Sequence, residues 1–269
     1  MDDGFQDRCS CGPAFLGEPT QAVPFHLLPL TGYNTLVIIQ TMKPSEFKSA
    51  RLAKGWTQTQ AAAHLGMSQA YLNFLESGKR RLTPELVRRA TSVYGLSPEL
   101  LPVGDAFAPL ETDDERLTEL LAKLGYPGFS YLRARTPGKH PFEVLLTALG
   151  QKIIDARVAE ALPWVAMKYA QPDSWLVDNA RKFNLQNRLG FVVSLARRMA
   201  EIRHECARAT ELSQLENLLD DSRLAKEDSF YRPPRTKSEK NWLRKNRTED
   251  AVHWNLLTDM RPEHFQYAS

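Results

Sequence analysis

Apolar residues recur at three- and four-residue spacing through most of the chain after position 45, which is the period of an amphipathic α-helix. Capping residues, prolines or glycines bound these segments, and no run of alternating β-branched residues interrupts them. One helical face of residues 185–199 is apolar, and a second apolar stripe follows in residues 212–219. The pattern predicts an all-α protein in which the two stripes form either core or partner-facing surfaces.

Cap-forming residues predict where individual helices begin. Thr112 and Glu115 have the spacing of a capping box and open a predicted helix over residues 113–124, and Thr236 and Glu239 have the same spacing. Three prolines are expected to mark helix starts or breaks: Pro141, Pro163 and Pro172.

Residues 1–41 have neither helical nor strand periodicity and carry glycine and proline at irregular intervals. We expect this segment to be disordered. A regular helical pattern begins only at Met42. Either Met42 is the true initiator and the preceding residues are upstream sequence, or the segment is a flexible arm.

A tight succession of caps marks residues 55–69. Thr57 can cap one short helix, Gly66 can end it, and Ser68 can cap the next. Between them, Ala61 and Ala62 are small enough for two helices to cross closely. The segment therefore predicts a helix-turn-helix.

The second helix of this motif is predicted over Gln69 to Leu75. If Leu72 and Leu75 are buried, four side chains face outward: Gln69, Ala70, Asn73 and Phe74. Glutamine and asparagine can bond bidentately to adenine, and alanine or an aromatic ring can touch a thymine methyl group. This face has the chemistry for reading bases in the major groove of double-stranded DNA. Because it contains no arginine, we do not expect it to recognise guanine.

Charge is distributed unevenly, although the formal net charge is only +3. Residues 43–102 contain nine lysines and arginines against four acidic residues, whereas residues 105–119 are acidic. The local excess supports nucleic-acid binding by the first of these segments. A second basic run, residues 232–247 with Trp242, either adds contacts to the DNA backbone or is a solvated helical face.

Residues 46–101 resemble the Cro and lambda-repressor-like (Xre) helix-turn-helix family, most clearly in RLAKGWTQ at 51–58 and LESGKR at 75–80. The resemblance implies a five-helix bundle in which residues 84–94 and 98–101 close the core. It also implies phosphate contacts for four residues: Gln58, Ser77, Lys79 and Arg80. Phe74 departs from the family, where this position is commonly polar, so Phe74 either reads a methyl group or packs against a neighbouring helix.

A second resemblance concerns residues 161–191. They are similar to the helical extension of some bacterial regulators that are encoded beside nucleotidyltransferase-type toxins. This resemblance implies an antitoxin that neutralises a partner toxin and represses its own operon.

The predicted organisation has four parts: a disordered segment at 1–41, a helix-turn-helix domain at 42–103, a linker at 104–112, and a helical regulatory or partner-binding domain at 113–269. The helical stretch 185–226 is long enough to pair with another copy. We therefore expect a homodimer, which matches a two-fold DNA site.

Other classes of protein find little support. The chain has no nucleophile with a base, no glycine-rich phosphate loop and no metal-ligand spacing, so we expect no enzyme, no catalytic residue, no cofactor and no metal. Three cysteines, an odd number without paired spacing, indicate a cytoplasmic protein: Cys9, Cys11 and Cys206. The apolar stretch 23–39 is interrupted by Pro24, Pro29 and Gly32, so no membrane segment is predicted.

Together these features predict a sequence-specific, DNA-binding transcriptional regulator that acts as a repressor. The antitoxin is the alternative, and a degenerate helix-turn-helix used for protein contact is the hypothesis that both must exclude.

Overall fold

The computed structural model describes residues 42–104, 106–133 and 137–264 of the 269-residue chain. Both interpretations of residues 1–41, disorder and an upstream start, lie outside the described residues. The described residues fold into twelve α-helices and one pair of two-residue strands. The prediction of an all-α fold is confirmed.

The first four helices form a bundle with its own hydrophobic core. They are α1 (Pro44–Ala53), α2 (Gln58–His64), α3 (Gln69–Glu76) and α4 (Pro84–Tyr94). The fifth helix of the predicted bundle is a short 3-10 turn, Pro98–Leu100. Phe47 of α1, Leu65 after α2 and Leu72 of α3 are fully buried in the centre of the bundle.

Hydroxyl caps start three of these helices. The side chains of Thr57, Ser68 and Thr83 each accept a hydrogen bond from the backbone N–H three residues ahead, which satisfies a donor that the first helical turn leaves free. Gly66, in the turn between α2 and α3, has a φ of +61°, where a side chain is strained. Thr57 and Ser68 therefore cap α2 and α3, and Gly66 forms the turn between them, as the sequence predicted.

Eight helices follow, and all of them except α11 contribute buried residues to a second, larger core. They are α5 (Asp114–Lys123), α6 (Pro141–Leu149), α7 (Ala156–Tyr169), α8 (Ser174–Lys182), α9 (Gln186–Ile202), α10 (Cys206–Asp220), α11 (Lys237–Asn246) and α12 (Glu249–His253). Helix α9 packs against both α7 and α10. The strands β1 (Asp228–Ser229) and β2 (Leu256–Leu257) pair in parallel, with Asp228 opposite Leu256.

The two apolar stripes of the sequence lie in this core. Leu189 and Val192 of α9 and Leu212 and Leu215 of α10 are fully buried, whereas Leu218 is 41% exposed. Because α9 and α10 cover each other's stripes, the stretch expected to pair with another copy is largely occupied within one chain. Dimerisation stays a prediction.

The capping predictions for the helical domain are partly wrong. Helix α5 is capped by Asp113, whose carboxylate accepts the backbone N–H of Arg116 at 2.7 Å, while the Thr112 hydroxyl donates to the carbonyl of Leu110. The carboxylate oxygen of Asp113 therefore takes the place of the predicted threonine hydroxyl as the acceptor for the first turn. At α11 the prediction is confirmed for Thr236, whose hydroxyl accepts the N–H of Glu239 at 3.1 Å.

The prolines also differ in their roles. Pro141 is the first residue of α6, and Pro172 lies between α7 and α8, as predicted. Pro163, in contrast, is buried inside α7, which continues on both sides of it. Its neighbours Leu162 and Val165 are buried in the core, so tertiary packing outweighs the local cost of proline in a helix.

No described helix has both the length and the apolar character that crossing a membrane requires. The same described residues contain no group of three histidine, cysteine, aspartate or glutamate side chains that could hold a metal ion.

Candidate nucleic-acid interface

The crossing of α2 and α3 has the geometry of a helix-turn-helix. Ala61 and Ala62 of α2 are buried, and their methyl side chains let α3 approach closely. The backbone N–H of Met67 bonds to the carbonyl of Ala62 at 2.9 Å and closes the turn around Gly66. The turn therefore fixes the direction in which α3 leaves α2.

The outward face of α3 contains the four residues proposed to read bases. Leu72 and Leu75 point into the core, and the side chains on the opposite face are in solvent: Gln69, Ala70, Asn73 and Phe74. Phe74 is 43% exposed, so much of its ring is open to a ligand rather than covered by a neighbouring helix. Tyr71 lies at the edge of this face and is also exposed.

Side-chain amides connect this face to the first residue of α2. Gln69 donates from Nε2 to Oε1 of Gln58 at 2.8 Å, and Gln58 donates from Nε2 to Oε2 of Glu76 at 3.0 Å. The same Gln58 nitrogen lies 3.5 Å from Oδ1 of Asn73. Gln69 keeps its own Oε1 and a second amide hydrogen, which are the groups that a bidentate contact to adenine uses.

A buried ion pair lies behind these amides. Arg51 of α1 donates from Nε to Oε1 of Glu76 at 2.6 Å and from Nη2 to Oε2 at 3.0 Å. Its third nitrogen, Nη1, donates to the backbone carbonyl of Trp56 at 2.7 Å. The pair ties the end of α3 to α1 and orients the carboxylate that Gln58 contacts. Residue spacing does not predict this ion pair, because its partners are 25 positions apart in the sequence. The one sequence signal is that Arg51 and Glu76 belong to the two stretches, 51–58 and 75–80, that resemble the family most clearly.

Both members of the pair are held in their charged forms. Burial acts to raise the pKa of Glu76, but hydrogen bonds from Arg51 and Gln58 outweigh it, and the pKa lies below its ordinary value of 4.5. The hydrogen bond to Glu76 raises the pKa of Arg51 despite its burial. Glu76 is therefore an ionised acceptor at neutral pH.

The four residues that the family resemblance assigns to phosphates lie beside and beyond α3. Gln58 lies beside it, and Ser77, Lys79 and Arg80 follow its last residue. The backbone N–H of Arg80 bonds to the carbonyl of Phe74 at 3.1 Å, so the turn folds back on the helix. Lys79 and Arg80 are exposed and form no ion pair with any described residue. Their charges are available to an external anion.

Comparison with known proteins agrees with this geometry. A helix-turn-helix family model matches residues 47–101. Neither the curated proteins nor the solved structures contain a match to the chain. The segment from α1 to the 3-10 turn is thus a Cro/C1-type, Xre-like helix-turn-helix, and this segment supports the general function of a DNA-binding regulator.

Proposed function

We propose that the protein is a sequence-specific repressor that reads the major groove with α3. The observation that carries this proposal is the exposed face of α3, where Gln69 and Asn73 are placed against Gln58. An amide that is already oriented loses less conformational entropy when it bonds to a base. Repression follows if the recognised site overlaps a promoter.

One group of residues contacts the DNA backbone, and a second group reads the bases. Gln58, Ser77, Lys79 and Arg80 contact phosphates and set the position of the domain on the duplex. The base edges are read by Gln69, Ala70, Asn73 and Phe74, with the amides on adenine and the apolar groups on thymine methyls. Changes in the first group should weaken binding to every sequence, and changes in the second should alter which sequence is preferred.

The experiment is selection of genomic fragments with the full chain, followed by binding titrations of three variants. Lys79→Ala should lower the affinity for all duplexes and reduce the slope of log K against log salt by about 0.9, the value for one phosphate contact. Gln69→Ala should change the ranking of single-base variants of the selected site. Lys226→Ala, an exposed lysine of the helical domain, is the matched control and should do neither. A uniform loss from Gln69→Ala contradicts the assignment of base reading.

We also propose that the repressor binds as a homodimer on a two-fold site whose half-sites lie about one helical turn apart. Sedimentation at micromolar concentration, with and without the selected site, tests this. A monomer under both conditions contradicts it.

An antitoxin function is the second candidate, and two exposed aliphatic residues favour it. Leu110 is 70% exposed and Ile153 is 66% exposed, on loops joined by the hydrogen bond from Nε2 of Gln151 to the carbonyl of Leu110 at 2.9 Å. This hydrogen bond brings the loops of the two residues together, and exposed apolar side chains on neighbouring loops can form a protein contact. We propose that this patch contacts a toxin, of the nucleotidyltransferase type by the sequence resemblance.

Co-expression with the product of the adjacent gene tests this second candidate. Relief of growth arrest should be lost in Leu110→Asp/Ile153→Asp and kept in the control Ile202→Asp, which changes an exposed isoleucine at the end of α9. DNA binding should be unchanged in both. If the wild-type chain does not relieve the arrest, or if the two variants behave alike, the proposed contact is wrong.

A further inference from the structure

A cleft of about 810 Å³ opens between α4 of the helix-turn-helix domain and the helical domain. One wall is α4, and the opposite wall is the end of α5 with the segment at residues 137–139. Its volume is in the range of sites that bind small molecules. None of the residues proposed to contact DNA lines it.

The charges around this cleft are mostly of one sign. Arg88 and Arg89 come from α4, and Lys123 and Lys139 come from the helical domain. Among the described residues that line the cleft, the acidic one is Glu85, which is 86% exposed and lies 3.5 Å from Arg88. Within the described residues the other three cations form no ion pair. Four cations against one carboxylate concentrate a positive potential in the cleft, which attracts an anion.

Apolar side chains form part of the floor of the cleft. Leu96, Leu101 and Leu124 line it, and Leu101 and Leu124 are largely buried. The segment at Gly138 lies directly against this floor, because a Cβ placed there would be 3.5 Å from Cδ1 of Leu101. A cationic rim over an apolar floor suits an organic anion with a hydrophobic body better than it suits an inorganic ion.

Hydrogen bonds hold the two walls in place. The carboxylate of Glu143 in α6 accepts the backbone N–H of Gly104 at 2.6 Å, which fastens the segment after the 3-10 turn to the helical domain. His140 is buried at the start of α6, where its Nδ1 accepts the backbone N–H of Phe142 at 3.2 Å. The cleft is therefore bounded by packed elements on both sides.

We propose that this cleft binds a small organic anion, with an aromatic or aliphatic body on the leucines and a carboxylate or phosphate between the arginines of α4 and the lysines opposite. Such a ligand bridges the two domains. It also contacts Arg89, which lines the cleft and lies against the turn between α2 and α3. Nη2 of Arg89 is 3.0 Å from the position that a Cβ on Gly66 would occupy. The ligand would thus act as an effector, although its binding is independent of whether α3 reads bases.

Fluorescence titration of the full chain tests the site with a matched pair of probes. Anilinonaphthalene sulfonate carries the anionic group, and phenylnaphthylamine is its uncharged parent. The sulfonate should bind at one saturable site, and Arg88→Gln/Lys123→Gln, which removes one charge from each wall, should weaken it by about tenfold or more. Glu85→Gln should strengthen it, because the acidic group in the cleft is removed. These residues are on the rim, so the fold should persist.

The controls separate this site from general adhesion of a dye. Lys226→Gln/Lys237→Gln removes two exposed lysines outside the cleft and should leave sulfonate binding unchanged. The uncharged parent should be insensitive to every charge variant. Competition by naphthoate or by naphthyl phosphate identifies the anionic group that the site prefers. Several equivalent sites, equal loss in the control variant, or failure of both competitors overturns the proposal.

Discussion

Gln69, the first residue of α3, donates its side-chain amide to Oε1 of Gln58, the first residue of α2, across 2.8 Å. One of these residues is proposed to read a base, and the other is proposed to contact a phosphate. The hydrogen bond makes their contributions interdependent, because Gln58 restrains the rotamer with which Gln69 meets the groove.

We therefore predict that the effects of Gln58→Ala and Gln69→Ala on affinity for the selected DNA are not additive. The loss in the double variant should differ from the sum of the single losses by about 1 kcal/mol, as expected for contacting residues. Gln69→Ala combined with Arg80→Ala is the control pair, and it should be additive within about 0.5 kcal/mol. Equal additivity in both pairs would mean that the amide contact plays no part in binding.

The Arg51–Glu76 pair should dominate the stability of the helix-turn-helix domain. Glu76→Leu leaves the Arg51 guanidinium buried without its carboxylate and should lower the free energy of unfolding by about 3–5 kcal/mol. Arg51→Met/Glu76→Leu removes both charges and should recover most of that loss. Glu85→Leu, which breaks the exposed pair with Arg88, should cost less than about 1 kcal/mol. Urea unfolding measures all three, and a double variant as unstable as Glu76→Leu would contradict the argument.

His140 should make the stability of the protein dependent on pH. Burial lowers its pKa from the ordinary value of 6.5 to about 4, although a hydrogen bond to the backbone of Glu99 acts in the opposite direction. The unfolded chain binds a proton below pH 6.5 that the folded chain rejects, so this contribution is present at higher pH and is lost as the pH falls from 6.5 towards 4. Its upper limit is about 3 kcal/mol.

His140→Asn tests this effect, since asparagine can still cap α6. Measured between pH 7 and pH 5, the free energy of unfolding of the wild type should fall more steeply than that of the variant. Parallel curves for the two proteins would show that the pKa of His140 does not differ between the folded and unfolded states.

Gly190 should tolerate no side chain, although it lies inside α9. Exchange of glycine for alanine within a helix normally stabilises by up to about 1 kcal/mol. Here a Cβ would be 2.5 Å from Cζ2 and Cζ3 of Trp254, a fully buried ring that is fixed by its hydrogen bond to Ser194. Gly190→Ala should therefore destabilise by about 2–3 kcal/mol in urea unfolding. In Gly190→Ala/Trp254→Leu the two costs should be less than additive, and a stabilising Gly190→Ala would refute the close contact.

The features that the sequence predicted are local ones. Thr57 and Ser68 bond to backbone groups three residues ahead, and Gly66 supplies the turn between them, so their roles can be inferred from a short window. The outward face of α3 likewise follows from the spacing of Leu72 and Leu75. For these reasons the motif and the residues on its exposed face can be predicted from the sequence alone.

The features that the sequence did not predict depend on distant packing. Glu76 and Arg51 meet only because α1 packs on α3, and Gly190 and Trp254 meet only because α12 packs on α9. The cationic cleft likewise combines residues from two domains. The paired strands are two residues long, too short to show an alternating pattern.

We expect α3 to distinguish one DNA sequence from another. The most direct test is an equilibrium titration of the full chain with the duplex enriched by selection and with a scrambled duplex of the same length, at one near-physiological salt concentration. The affinity for the enriched duplex should be higher than that for the scrambled duplex by about a thousandfold or more. Equal affinity for the two duplexes, or binding to neither, would contradict it.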